Sequence, residues 1–519
     1  MIRAFWFLAA FLATCPAKPI EPAFQHSDRC IACHNGLVTS SGEDVSIGFN
    51  WRASIMANST RDPYWQASVR RESMDFPNVR AAIEDECSAC HMPVTHYEAK
   101  LRGRPAEVFP NIAAEDGVTC SVCHQIADRK LGTRASFNGQ FVVDAPKSKQ
   151  EHPEYGPFEI KKGQQRIMRT SSGGFLPTEE AHIRKSELCA TCHTLYTTAR
   201  GPEGGELPEQ MPYFEWLHSD YREKQSCQDC HMPEVKEETP IAKVLGEPRE
   251  GLHRHVFVGG NFFMEGMLNR YRDELGVVAL PQELNRASRE TVGLLQSKTA
   301  HIAIDRVFVN SGRLLAEISV ENLTGHKFPT AYPSRRAWLH VTVRDRNHKT
   351  LFESGALHSD GSIQGNDNDM DPARFEPHYT EIDRADQVQI YEPILKDHAG
   401  KVTTGLLTAI GYLKDNRLLP QGFDKSTADK DIAVYGAAMQ DADFYDASDN
   451  IRYSIALGSG QGPFEVEAEL WYQPIGYRWA NNLKPYNAAE PHRFTGYYDS
   501  MAVDTAIVVA RAVAHTPSN

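Results

Sequence analysis

Cys87-Ser88-Ala89-Cys90-His91-Met92-Pro93 puts two thiols three positions apart on one helical turn, an imidazole directly after them, and a proline two residues later that stops the helix. The same C-x-x-C-H pattern recurs at Cys30, Cys33 and His34, at Cys120, Cys123 and His124, at Cys189, Cys192 and His193, and at Cys227, Cys230 and His231, the last followed again by Met and Pro. With 11 Cys and 21 His in 519 residues, chance would produce this pattern roughly 0.01 times per chain. Every cysteine but Cys15 falls inside it, so the motifs are a set and not an accident of composition.

The spacing has a chemical reason. Two thiols three positions apart on a helical turn can each add to a porphyrin vinyl group, and the next imidazole then lies under the iron as its proximal ligand. The expected cofactors are therefore five covalently attached haem c groups. Zinc would need the pairs to combine into fours, which five pairs do not do evenly, and neither zinc nor a thioredoxin-like pair requires the His that follows. Structural disulfides would not repeat one local spacing.

Composition agrees with a soluble globular protein large enough for two or more domains: 41% hydrophobic, 24% charged, mean hydropathy -0.47. A formal charge of -13 with no long basic run excludes nucleic acid as a partner, since phosphate neutralisation needs clustered Lys and Arg. Residues 1–17 read as a secretory signal, with Arg3, an apolar run from Ala4 to Ala13, and small or turn-favouring residues up to Ala17. Cleavage after Ala17 removes Cys15. Leu12-Ala13-Thr14-Cys15 also has the outline of a lipobox in which Cys15 would be acylated, although Thr is unusual before a lipidated Cys. Either route exports the chain to the periplasm, where c-type haem is attached. No later segment is long and apolar enough to anchor in a membrane.

All five motifs lie between Cys30 and His231, so five macrocycles share about 200 residues. Residues 18–260 are expected to be a pentahaem domain of short helices and loops in which each haem has close haem neighbours. An iron that cycles electrons without binding substrate needs a second axial ligand, usually His or Met. The candidates outside the motifs are His26, His96, His152, His182, His218, His253, His255 and Met56. His255 is favoured because Gly259 and Gly260 follow it and permit close backbone approach to a flat ligand. His182 is favoured because it lies on the helix expected to start near Thr178 and lead into Cys189. Met56 lies in a helical stretch, Trp51 to Ala57, where a core role competes with a ligand role.

Beyond Gly260 the pattern changes. Residues 261–300 carry helical periodicity, as in Leu284, Ala287, Val292 and Leu295, and form a connector. From His301 the sequence alternates. His301–Val309, Leu314–Glu321, Ala337–Arg344, Gln387–Tyr391, Phe464–Tyr472 and Asp504–Val513 read as strands, so residues 301–519 are expected to form an antiparallel, sandwich-like β domain and the whole chain an α+β fold. His326, held between Gly325 and Pro329 on a loop, could reach across and ligate a haem of the first domain; an ordinary hydrogen-bonded loop His is the competing reading. His378 is a lesser candidate. Asp367 to Asp371 alternates carboxylates, but without the Gly and closing Glu of a calcium loop it reads as a solvated acidic turn.

On these residues the first half resembles the periplasmic multihaem c-type cytochromes of the cytochrome c-552/c-554 kind. The likeness is carried by the five motifs, Gly117-Val118-Thr119 before Cys120, the two His-Met-Pro extensions, and His253 to Asn261. Gly325–Pro329, Tyr332–Val341 and Tyr412–Lys425 are similar to carboxyl-terminal domains attached to other multihaem cytochromes. The resemblance implies haems with two His, or His and Met, as axial ligands, passing electrons between a donor and an acceptor redox protein, with a membrane-bound or outer-membrane redox complex among the expected associates. The alternative is a multihaem oxidoreductase of the nitrite or hydroxylamine type, in which one haem keeps an open position. Against it, such nitrite reductases commonly carry Lys at the catalytic motif and a long-helical second half.

Overall fold

The computed structural model describes residues 23–109, 116–144, 152–201 and 203–517. The leader read at 1–17, with Cys15, lies outside the described residues. In the first half the motifs sit on short helices: Asp28–Ile31, Arg80–His91, Cys120–Cys123, Ser186–His193 and Cys227–His231. Local chemistry sets their ends. Ser226 and Asp229 form a capping box at the start of Cys227–His231, and Pro93 opens the next helix, Pro93–Leu101, where its missing N–H has no intrahelical partner to lose.

Two local expectations are corrected. Met56 is not helical: the helix Ile47–Arg52 has ended and residues 53–61 form successive turns, tied by Ser54 Oγ accepting the Ala57 N–H. Residues 178–179 close a strand, Phe175–Glu179, that pairs in parallel with His152–Gly156; His182 then lies on a 3-10 turn, Ala181–Arg184, before the helix Ser186–His193. A second small ladder, Leu195–Thr198 with Glu206–Gln210, also went unanticipated.

Residues 261–300 hold two helices, Phe262–Arg270 and Pro281–Lys298, the latter burying Leu284, Ala287 and Leu295. Beyond it the chain is rich in antiparallel sheet. One sheet orders Thr350–Ser354, Arg336–Arg344, Glu465–Gln473 and Ile507–His515; another orders Glu381–Ile382, Ser448–Ala456, Arg313–Asn322 and Ala300–Asn310, its two-residue edge strand pairing in parallel. Strict alternation fixes their inner faces: Val466, Ala468, Leu470 and Tyr472 of the first sheet and Leu314, Ala316, Ile318 and Val320 of the second are buried in one core.

That core does not stop at the second half. It continues into Tyr64, Ala67, Phe137 and Ala190 of the first. The link that the strand pattern concealed is a helix, Ala489–Ser500, which lays Phe494 against Tyr64 with ring centroids 4.9 Å apart and brings Glu490 to Arg70 at 2.8 Å. The chain is thus an α+β molecule whose helical and sheet regions share apolar interior.

Within the second half, His378 is drawn into a buried polar cluster with Asp441 and Asp449 that has the residue types of a metal centre. The hydrogen bonds decide otherwise. Gln389 is oriented by accepting the Tyr379 N–H, and Asn416 by accepting the Glu392 N–H, so both amides turn NH2 groups toward His378 Nδ1, at 3.0 and 3.1 Å. Nδ1 must then be the lone-pair nitrogen and Nε2 the N–H, donating to Asp441 at 2.9 Å. No lone pair faces the carboxylates. The acidic turn is likewise occupied by protein: Asp369 binds Arg336 at 2.8 Å and Asp367 binds Arg374 at 2.5 Å. His378→Ala is expected to lower unfolding stability by about 2–4 kcal/mol by orphaning these groups, while zinc or calcium added to the native protein leaves its melting temperature unchanged; a metal-dependent rise in calorimetry would contradict the hydrogen-bond assignment.

Candidate functional site

A cavity of about 1830 Å³ lies chiefly in the first half and is completed by residues of the second, and all ten motif cysteines and all five motif histidines lie on its wall. The motifs are also in contact with one another. Cys30 neighbours Cys120, Cys189 neighbours Cys227 and Cys192 neighbours Cys90, each pair close enough for its thiols to interact, and Cys123 lies near enough to Cys189 and Cys192 to act on them electrostatically. Spatial order therefore differs from chain order. The motif of Cys30 adjoins that of Cys120, and the motif of Cys189 adjoins those of Cys87 and Cys227 and lies near that of Cys120.

Four of the five motif histidines on the wall are oriented through Nδ1. His34 donates to Ile241 O at 2.6 Å, His124 to Tyr155 O at 2.6 Å, and His231 to Val258 O at 2.5 Å; His91 is 3.4 Å from Ser59 O and stacks on Trp65, with ring centroids 4.6 Å apart. A carbonyl can only accept, so Nδ1 carries the proton and Nε2 keeps its lone pair for the cavity. Burial keeps these rings neutral: it pushes His91 and His193 down to about 4 and lowers His34, His124 and His231 as well. The neutral ring is the form that binds a metal.

Three further histidines share this posture. His253 donates to Met232 O at 2.6 Å, His255 to His253 O at 3.0 Å, and His326 lies 2.9 Å from Lys327 O. All three line the cavity. His255 lies opposite His124, with ring centroids 6.3 Å apart and planes within 14°, and His326 opposite His231, at 6.2 Å and 10°. A metal bound between two imidazoles, about 2 Å from each nitrogen and so roughly 3 Å from each ring centre, sets the centres roughly 6 Å apart. Burial again lowers both partners, His255 to about 3 and His326 to about 4.

His326 reaches the cavity from the second half because its loop is anchored there. Lys327 donates to Asp415 at 2.8 Å; Arg417 binds Asp415 at 2.7 Å and Glu215 at 3.0 Å; Glu215, on the helix Pro212–Leu217, accepts the Lys327 N–H at 3.1 Å and the Thr330 hydroxyl at 2.5 Å. All four charged groups are buried.

The other sequence candidates are placed elsewhere. His182 turns Nε2 to Ile126 O at 2.7 Å, its Nδ1 is buried without a partner, and it is off the cavity wall. His96 is held by Asp85 O at 3.0 Å, His218 by Asp424 O at 3.0 Å, and His26 is exposed beside Asp116; none lines the cavity. His152 packs on Phe175. Met56 does line it, as do Met168 and Met232. Among the described residues the wall thus holds eight histidines. Sequence reasoning passed over Arg335, Tyr332, Glu72 and Glu209, which also face the cavity; Tyr332 and Arg335 lay in a family-like stretch, but nothing local marks the two glutamates.

The wall fits a set of flat apolar groups. The helix Lys162–Ser172 buries none of its residues, yet its Ile167 and Met168 face the cavity, and across from them Val244 and Leu245 are exposed on the same wall. Apolar faces so arranged lack only what lies between them.

No family model matches the sequence, and no curated protein matches it. The crystal structure of a penta-heme cytochrome c552 from Thermochromatium tepidum is similar to this chain over 95% of its length and 99% of the other, with a TM-score of 0.52 at 15% sequence identity. At that identity the likeness establishes a shared fold.

Proposed function

We propose that this chain is an exported multihaem c-type cytochrome that holds five haems, one on each C-x-x-C-H motif, and passes electrons between a donor and an acceptor redox protein. The observation that carries the reading is the pair of parallel imidazole couples, His124 with His255 and His231 with His326, spaced as two axial ligands of one iron. The penta-heme neighbour supports it at the level of fold. A bound haem supplies a one-electron iron couple. The protein's own part is to attach, orient and space: thiols on one cavity wall for the thioethers, backbone carbonyls that aim each imidazole, and motif-to-motif contacts that would keep neighbouring macrocycles within electron-transfer reach. The proposed extracytoplasmic location rests on the leader at 1–17, and no described helix is long and apolar enough to cross a membrane.

Material from a host able to mature cytochromes should carry the added mass of five haems in intact-protein mass spectrometry; a bare or zinc-loaded chain would end this reading. His255→Ala and His326→Ala should each convert one haem from low to high spin in electron paramagnetic resonance while leaving the haem count at five. Unchanged spectra would mean that these rings are not ligands.

One observation favours the oxidoreductase alternative for part of the molecule. Five irons with two imidazoles apiece would need ten histidines, and the described cavity wall holds eight. At least two irons would then take a Met such as Met56, or remain open. An open iron in the native holoprotein would show as a high-spin signal that nitrite or hydroxylamine perturbs; five low-spin haems indifferent to both would leave the carrier reading alone.

A further inference from the structure

Two buried carboxyls on the cavity wall, both close enough to Cys87 to act on it electrostatically, are held by hydrogen bonds alone. Glu72, on the helix Pro63–Asp75, and Glu209, on the strand Glu206–Gln210, are 5% and 4% exposed and both face the cavity. Glu72 Oε1 accepts the Leu406 N–H at 2.8 Å, while its Oε2 is buried with no partner. Glu209 accepts the Thr197 hydroxyl at 2.5 Å and the Gln210 amide at 3.2 Å. No ion pair reaches either carboxyl among the described residues. Arg71 turns to Asp75, Tyr486 and the Thr404 carbonyl, and Arg200 is taken by Glu86 at 2.6 Å.

The remaining groups that face the pair are Glu86 and Cys87 on the helix Arg80–His91, together with Tyr64, Tyr332 and Tyr412. Tyr332 reaches Ser68, and its ring centre is 5.7 Å from that of Tyr64. Among the described residues Arg71 is the cation whose field reaches Glu72, where it opposes the effect of burial, but its own bonds go to Asp75, Tyr486 and Thr404; the charged neighbours of Glu209 are acidic. A buried carboxyl without a cation holds a proton rather than a charge, and it releases that proton easily only if the local field becomes more positive.

Resting on the haem-binding reading above, we propose that Glu72 and Glu209 form a proton-binding site coupled to the redox centre held by Cys87, Cys90 and His91. One electron delivered by a reduced one-electron donor takes that iron from ferric to ferrous; one proton from water joins the carboxyl pair, converting one carboxylate to the acid; both leave when the electron moves on. No ligand bond forms or breaks. The driving force is electrostatic, since the added electron disfavours an anionic carboxylate beside it. Burial, opposed by the Thr197 and Gln210 hydrogen bonds and reinforced by the charges of Glu72 and Glu86, pushes Glu209 up to about 7, and burial likewise raises Glu72. The proton would therefore exchange near neutral pH.

The test is a spectropotentiometric titration of the native holoprotein between pH 6 and 9, reduced with dithionite. One haem is expected to fall in midpoint potential above about pH 7, with a slope approaching 59 mV per tenfold change in proton concentration, and to flatten below it, where both redox states are protonated. In the double variant Glu72→Gln with Glu209→Gln, that haem should lose its slope while the others titrate as before. Potentials that ignore pH, or a slope that survives in the variant because haem propionates cause it, would overturn the proposal. Should the variant not fold, infrared difference spectra of the native protein with 13C-labelled glutamate decide: a protonated-carboxyl band gained on reduction and shifted by the label supports the site, and its absence or indifference to the label refutes it. Haem content, read separately by mass, distinguishes these failures from failure of the cytochrome reading itself.

Discussion

An imidazole can aim a lone pair only if its other nitrogen is held, and here main-chain carbonyls do the holding. Ile241, Tyr155, Val258, Met232, His253 and Lys327 each offer a carbonyl oxygen to the Nδ1 of a cavity histidine. A carbonyl is a fixed acceptor that cannot donate, so one contact settles tautomer and direction together. The surrounding folds serve this constraint. Residues 241, 253 and 258 belong to one loop-rich stretch that wraps the cavity, and its irregular path follows from where its carbonyls must point.

The second half is part of the same device. Its sheets have their own alternating core, but the loop Gly325–Pro329 leaves that core to bring His326 opposite His231. Lys327, Asp415, Arg417 and Glu215 hold the loop from within. Four buried charges are an expensive anchor, and a hydrophobic contact of the same size would serve stability as well. What charges add is placement: bidentate and directional bonds fix the loop relative to the helix Pro212–Leu217 more narrowly than apolar packing does. The helix Ala489–Ser500 repeats the arrangement at the other end, seating Phe494 on Tyr64 beside the Arg70–Glu490 pair.

What could be read from the chain alone follows the range of the interactions involved. The five motifs are local, and so are the strands from Arg313 to Asn322 and from Glu465 to Gln473, where period-two alternation reports one buried face. His255 and His182 looked alike in sequence because both stood near favourable punctuation. They part company in three dimensions, since the carbonyl that captures His182 belongs to Ile126, 56 positions away, and no local pattern records it. Met56 lost its expected helix to turns packed by residues around Gly117, where an added Cβ would sit 2.5 Å from the Met56 carbonyl oxygen. Glu72 and Glu209 are invisible for the same reason: each is an unremarked acid on its own element, and only tertiary packing strips both of cations.

The helix Lys162–Ser172 carries a consequence for how such a molecule is made. Eleven residues with no buried side chain cannot sustain a helix unaided. Its order is borrowed from whatever occupies the space beneath Ile167 and Met168. On the proposed haem-binding reading, Ile167 and Met168 gain their full burial only against the bound groups, so this segment would be among the last to settle as the protein matures.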